Sequence, residues 1–474
     1  MLTPKIENLF QFIDGIKSDK VNETNRIKLI SFAYDYPKIN FHQIINNLNS
    51  GSHSFFYWEK PDEDYTILGI DSLDEVQTYG ENRTELSRTQ IEKWINNYFT
   101  NFTSLNISSV PVFMGGMKFS PEGNSTESIW KDFADSDWFI PKLVLLKQNK
   151  KYFIVLNFTY QNLPEIELAN LFKSRMKLFE SLQVENQIFE PESVDESNLY
   201  DKNERENWID KVHSALNQIS SGTYKKIVLS RRVSLNISGK PILSEKLHKL
   251  SEEYPRCYIF AYGKNESIFF GASPEKLAKI SNGWVEADAL AGSTPRGQNQ
   301  SDDERLAEEL LLSKKNLNEQ YAVVDFITNS FAEFSDEIVY DEKPIIRKLS
   351  NIQHLWTPIK AKLKPGHTIF SILKEIHPTP AICGVPWSGA LNFIRTTEGY
   401  NRGLYAGIIG WFNFEEQGEF AVAIRSGLLK NNKLFAFAGC GIVEGSDPEL
   451  EFEETELKLK PILSLFPHEN VPQS

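Results

Sequence analysis

The sequence predicts an α+β fold in which antiparallel β-sheets are layered on one another and flanked by helices. Three observations carry this. Runs rich in β-formers recur in hairpin order, most plainly AVAIRSGLL and KLFAFAG around Asn431-Asn432, a pair suited to a tight turn. Helical patterns are interspersed among groups of strands and do not alternate with them one for one, which argues against a parallel βαβ sheet. With 474 residues, of which 41% are hydrophobic, the chain can bury a core large enough for such layers. Length alone allows one large domain or two to three smaller ones.

The elements follow in order. MLTPKIENLFQFIDGIK spaces Ile6, Leu9, Phe10 and Ile13 along one helical face. Strands are predicted in IKLISFAYD from Ile27, SHSFFYW from Ser52 and YTILGI from Tyr65, then a helix from about Glu85 to Phe99 and a strand in VPVFMGGMKF from Val110. Strands from Lys142 to Leu146 and Tyr152 to Asn157 precede a helix from about Glu165 to Leu182. The polar, acidic stretch from Val184 to Glu206 reads as a linker that need not be a domain boundary.

Beyond it come a helix from about Asn207 to Ile219, the strand YKKIVLSRRVSL, a helix from Ile242 to Leu250, and the runs CYIFAYG, SIFFGAS, SPEKLAKI and WVEADALAGS. One long helix is expected from Ser301 to about Phe331, with Ser301 and Glu304 as a capping box. Strands near Ile352 and Ala406 and a helix from Thr368 to Ile376 lead to the C-terminal run. There Ser446 or Asp447 caps a helix with Pro448 in its first turn, and Glu449 completes a possible box with Ser446. Glu451, Glu454 and Lys458 fall at i, i+3 and i+7 on one face, with Leu450 and Leu457 on another. Alone, such a run reads as a solvated helix face; with Arg425 across a glycine turn, it also suits a metal ion holding a small anion.

Net charge is -13, with no basic block or aromatic-interleaved basic stripe, which argues against nucleic acid and anionic membrane partners. Cys257, Cys383 and Cys440 form no CxxC pair, so neither a zinc site nor a disulfide framework is indicated. The N-terminal segment lacks a signal-peptide pattern and no apolar run reaches the ~18 residues of a membrane span. A cytoplasmic setting is the expectation.

Ten blocks, KIVLSRR, FFGASPEKL, LAGSTPRG, SKKNLNEQYAVV, QHLWTP, HPTPAICGVP, GLYAGIIGW, FAVAIRSG, AGCGIV and EFEETELKLK, stand in this order. Together they resemble the chorismate-utilising enzymes, and within them the isochorismate synthases, over roughly Tyr224 to Pro461, with weaker echoes in FFYW and FMGGMKF. The resemblance implies one chorismate-utilising domain over 1–474, like that of anthranilate synthase component I, with a more divergent N-terminal part over 1–200 and the catalytic region over 205–462. It implies that water adds at C2 of chorismate as the C4 hydroxyl leaves, in service of menaquinone or catechol siderophore synthesis.

By the same resemblance Lys226 is the base that activates water and Glu275 the general acid. Each requires a shifted pKa: a lysine partly neutral, a carboxyl partly protonated. Lys225, next door, points to the opposite strand face. Mg2+ is expected between Glu319 and Glu454, with Glu451 nearby through water. Leu312, Val323 and Phe326 are expected to share the side of Glu319. Arg425 and Lys458 match the residues that hold the substrate carboxylates. Tyr405, His354 and Ala381 match positions beside the substrate, and Gly292, Gly439 and Gly441 positions of close backbone approach.

Within the family, Lys226 stands where anthranilate synthases have glutamine, and Ala291 occupies the segment where aminodeoxychorismate synthases can carry a nucleophilic lysine. DFITNSFAEFS replaces the RNDLGR-like run of amine-transferring members, so no glutaminase subunit is expected and a monomer is the default. Ala381 stands where pyruvate-eliminating members tend to have threonine, which favours isochorismate as the end product over salicylate. A salicylate synthase and a non-catalytic chorismate-binding module remain the alternatives. Two departures stand out: Leu317 and Gln320 replace an Arg and a His of the usual KDRxEH block around Glu319, and Phe452 replaces the tryptophan of EWxET.

Overall fold

The computed structural model describes residues 3–19, 27–48, 53–108, 110–122, 128–161, 163–184, 193–195, 203–349 and 352–466. The linker expected from Val184 to Glu206 lies largely outside these. Among the described residues every strand belongs to one hydrogen-bonded network, and all its pairings are antiparallel except Lys28–Tyr36 with Tyr98–Thr100. That network forms two layers joined by the long strands Tyr65–Thr78 and Ser136–Gln148, whose pairing shifts register between Ser72 and Asp74, a bulge that bends both.

The first layer runs outward from this pair through Phe55–Lys60, Tyr258–Lys264, Ser267–Ser273, Ser426–Lys430 and Lys433–Ile442 to Lys226–Ser238. The second runs through Phe113–Met117, Ile408–Phe412, Gly418–Val422, Lys276–Ser281 and Trp284–Pro295 to Ile352–Leu363.

Alternation along the strands divides the apolar side chains between two cores. Phe56 and Trp58 join Phe113, Trp138, Phe412 and Phe420 in the core shared by both layers. Phe55 and Tyr57 join the second core, with helical residues such as Leu9, Ile44, Phe172, Leu247 and Leu459. Aromatic packing fills the inter-layer core: Trp138 meets Phe412 edge-on at 5.2 Å, and Phe113 stacks on Phe412 at 4.8 Å. Each such fully buried ring contributes roughly 2–3 kcal/mol.

Local chemistry sets the element ends. Asn431 and Asn432 both take positive φ in the predicted hairpin. AVAIRSGLL is not one strand: it splits at Ala423–Arg425 into Gly418–Val422 and Ser426–Lys430, which pair in different layers. The expected helix from Glu85 to Phe99 is Arg83–Ile95, and Tyr98–Thr100 pairs as a strand instead. The expected helix from Ser301 to Phe331 is two helices, Gln300–Leu312 and Lys314–Ala332. Asn299, not Ser301, caps the first by accepting from Asp302 N. Ser313 takes an extended conformation and caps the second through Asn316 N, because a serine side chain competes for backbone donors. Leu312 is therefore an exposed helix end, 79% accessible, and does not share the side of Glu319.

At the C-terminal helix Pro448–Leu463, Asp447 is the cap, accepting from Glu449 N and Leu450 N. Ser446 accepts from Val443 N, and Glu449 pairs with Arg205, so the Ser446–Glu449 box does not form.

Candidate active site

Residues from both layers and from the helices Lys314–Ala332 and Pro448–Leu463 line a cavity of about 260 Å³. Glu275, Gly292, Glu319, His354, Ala381, Tyr405, Arg425, Gly439, Gly441, Glu451, Glu454 and Lys458 all line it. Lys226 reaches its wall from the first residue of the strand Lys226–Ser238, donating to Glu319 Oε1 at 2.5 Å. Alternation keeps Lys226 buried and leaves Lys225 exposed.

The glycines have steric reasons. A Cβ on Gly441 would lie 2.5 Å from Lys226 Cε and 3.3 Å from Glu319 Oε1, so a side chain there would break the Lys226–Glu319 pair. A Cβ on Gly292 would meet Asn316 Cβ at 3.0 Å, and its φ of +66° suits glycine. Arg425 and Ala406, both at the cavity, also take positive φ, 51° and 57°. Non-glycine residues in this region carry backbone strain of the kind that gathers at functional sites.

Charge in the cavity is uneven. Lys458 Nζ donates to Glu454 Oε1 at 2.5 Å and to Gly439 O at 3.0 Å. Burial raises the Glu454 carboxyl, but Lys458 and Arg425 outweigh it and hold it below its ordinary value. Arg425 is buried and, among the described residues, no hydrogen bond or ion pair takes up its guanidinium. Burial and the Glu454 charge raise Glu451. Glu275, 6% exposed, is pushed up to about 7, chiefly by burial and against the pull of Lys226. His354 is pushed down to about 3 by burial and by Arg425 and Lys458. Its ring bonds to the Gly292 backbone, and its Nε2 has no partner.

Glu451, Glu454 and Lys458 thus face inward. Leu450 and Leu457, expected as the helix's apolar face, are exposed at 64% and 42%. The reversal follows from the cavity, where charge has a use and apolar surface does not. The three carboxylates do not converge: among the described residues no three acid, His or Cys side chains are grouped as metal ligands. Glu319 and Glu454 each bond to a lysine instead.

Three further contributors escaped the sequence reading. Gln320, fully buried, accepts from Ala291 N at 2.9 Å and donates to Ala289 O and Thr357 Oγ1 at 3.0 Å each. It therefore clamps the LAGS strand to its neighbour, where the usual block has histidine. Phe437 stacks on Tyr405 at 5.2 Å. Arg402 also lines the cavity, one residue ahead of the GLYAG block; an arginine so close to an apolar block was the available signal.

A family model described as "Chorismate binding enzyme" matches residues 15–466. The isochorismate synthase MenF of Bacillus subtilis is 34% identical over 94% of this chain and 95% of its own. The salicylate biosynthesis isochorismate synthase of Pseudomonas aeruginosa is 31% identical over 92% of this chain and 89% of its own. Among solved structures, the menaquinone-specific isochorismate synthase of Escherichia coli superposes with a TM-score of 0.76 over 98% of this chain and 100% of its own, at 21% identity. That likeness shows the shared α+β fold. With its family matched from the first helix to the last, the chain belongs to the chorismate-binding enzymes.

Proposed function

We propose that the protein is an isochorismate synthase, an isomerase interconverting chorismate and isochorismate, whose product feeds menaquinone or catechol siderophore synthesis. One observation carries the reading: a single cavity holds an unpaired buried guanidinium, Arg425, and a carboxyl poised near pH 7, Glu275. The first suits a dianionic substrate; the second suits an acid that works at neutral pH. Relatives aligned over nearly the whole chain carry the same activity in their names.

Arg425 and Lys458 hold the carboxylates, and Tyr405, His354 and Ala381 bound the ring. The backbone at Gly292, Gly439 and Gly441 lets the ligand approach closely. Lys226, released from Glu319 and in its neutral form, takes a proton from the water that attacks C2, the ring double bonds shift, and Glu275 gives its proton to the departing C4 hydroxyl. One water enters and one leaves, and exchange with solvent returns the proton gained by Lys226 to Glu275 before the next forward turnover.

Glu319, Glu454 and Glu451 line one cavity with hard oxygen donors that would take up a divalent cation if Glu319 and Glu454 exchanged their lysine partners for it. The Glu454 charge that adds to burial in raising Glu451 is what such a cation would relieve. Mg2+ held there would neutralise the ring carboxylate. The reading further places the chain in the cytoplasm as one chorismate-utilising domain, a monomer without a glutaminase subunit.

The test is incubation of purified protein with chorismate and Mg2+, an EDTA control, and chromatography of the products, with gel filtration for the monomer. Isochorismate approaching equilibrium without pyruvate is expected. Salicylate with equal pyruvate would replace the reading with a lyase, and chorismate binding without product would replace it with a non-catalytic module.

A further inference from the structure

We infer that Arg402 and Glu398 form a positioning pair that fixes the cavity wall carrying Lys226, Ala381 and Tyr405, an inference that rests on the function proposed above. Both side chains are nearly inaccessible, at 3% and 2%. The Arg402 guanidinium grips Glu398 as a fork, Nε to Oε2 at 2.9 Å and Nη2 to Oε1 at 2.5 Å. Its remaining donors hold two backbone carbonyls from separate segments: Nη1 donates to Ile382 O and Nη2 to Val228 O, each at 2.8 Å. The Phe119 ring covers the guanidinium at 4.4 Å.

Those carbonyls are not incidental. Val228 lies two residues along the strand from Lys226, on the same face. Ile382 follows Ala381, and Tyr405 N donates to Arg402 O at 3.0 Å. Glu398 Oε1 also accepts from Ser230 N at 2.7 Å and Ser230 Oγ at 2.9 Å, tying the Lys226 strand a second time. The guanidinium therefore joins the segments that bring the base and the small wall residue to the cavity, and the backbone of Arg402 itself holds the segment of the aromatic one.

A buried ion pair is no better for stability than well-packed apolar side chains of the same volume. What a guanidinium offers here is a fixed angle between its donors, which an ammonium lacks. Arg425 and Lys458, which hold the anion, lie on other elements and receive no hydrogen bond from either member of the pair. Loss of the fork should therefore misplace the reacting groups more than it weakens binding.

The experiment compares Arg402→Lys and Glu398→Gln with the parent for kcat, KM and calorimetric chorismate affinity. Since misplacement by about 1 Å can cost about 100-fold in rate, Arg402→Lys should lower kcat by about 30-fold while affinity changes less than about threefold, with Glu398→Gln between it and the parent. A kcat within about twofold of the parent overturns the inference. So does an equal fall in kcat and affinity, which would make the pair a general scaffold. Should Arg402→Lys fail to fold, Glu398→Gln is judged by the same two criteria. A parent without turnover overturns the proposed function, and this inference with it, whereas an active parent with unaffected variants overturns the inference alone.

Discussion

Glu275 and Lys276 are neighbours in the chain and face different cavities. The Lys276 cavity is as rich in charge as the Glu275 cavity; its lysines and Arg347 are paired, while Arg256 is exposed and, among the described residues, Asp288 Oδ1 and Trp356 Nε1 make no hydrogen bond. Lys60 pairs with Glu63 and, at 2.7 Å, with Glu419; Arg347 pairs with Asp288 at 2.9 Å; Lys276 lies 3.4 Å from Asp288 and Lys279 3.8 Å from Glu63. The Glu275 cavity leaves Arg425 unpaired, a carboxyl near pH 7 and a histidine nitrogen without a partner. A buried cation without a carboxylate partner, rather than the amount of charge, therefore sets the Glu275 cavity apart as prepared for an anion.

Lys226→Ala removes the group on which turnover in the Glu275 cavity depends most. Turnover should fall about 10³-fold or more, since a base is lost outright, while chorismate affinity stays within about fivefold. Product chromatography and calorimetry measure the two; near-parental turnover would remove Lys226 from the mechanism.

Glu275→Gln comes next, with an expected loss of about 10²- to 10³-fold in kcat. Its carboxyl moves from 4.5 in the unfolded chain to about 7 in the fold. As an acid it must be protonated, so parental activity should fall as pH rises through about 7, a limb the glutamine variant lacks. Stability has the same sign. Between pH 4.5 and 7 the folded chain keeps a proton the unfolded chain has released, so this group's contribution is full below 4.5 and lost as pH approaches 7. At pH 8 the glutamine variant should melt above the parent; an unchanged or lower melting temperature contradicts the raised carboxyl.

Arg425→Ala should weaken chorismate binding about 10- to 100-fold, the value of one charge-assisted hydrogen-bonded contact or two. Calorimetry reads it directly. Unchanged affinity would mean that Arg425 does not hold the anion.

These residues were legible through the family resemblance that KIVLSRR, GASPEKL and AIRSG carry; without it Lys226 reads as an ordinary lysine at a strand end, and Glu275 as a turn glutamate. The layered antiparallel architecture was legible because hairpins leave period-two patterns, and the Asn431-Asn432 turn is where they say. What stayed hidden depends on tertiary context. Nothing in the apolar spacing marks Ser313, whose hydroxyl splits one expected helix into two. Leu450 and Leu457 break the rule that apolar faces turn inward because the cavity claims the charged face. Gln320 looked like the loss of a family histidine, yet makes three hydrogen bonds no local pattern reveals. Arg402 binds carbonyls from segments 20 and 174 residues away.

The last test asks whether the balanced cavity is structural alone. Lys60 is buried against Glu419, which also accepts from the Tyr258 hydroxyl at 3.0 Å. Lys60→Met keeps the length and apolar stem but strands the Glu419 carboxylate away from water, which should cost about 3 kcal/mol of stability. The melting temperature should fall, while kcat and KM for chorismate stay within about twofold, because no group in the Glu275 cavity pairs with Lys60. Denaturant unfolding and steady-state kinetics on the same preparation decide it. A fall in kcat with unchanged stability would mean that the second cavity communicates with the first, and that paired charge there is poised for a ligand rather than satisfied.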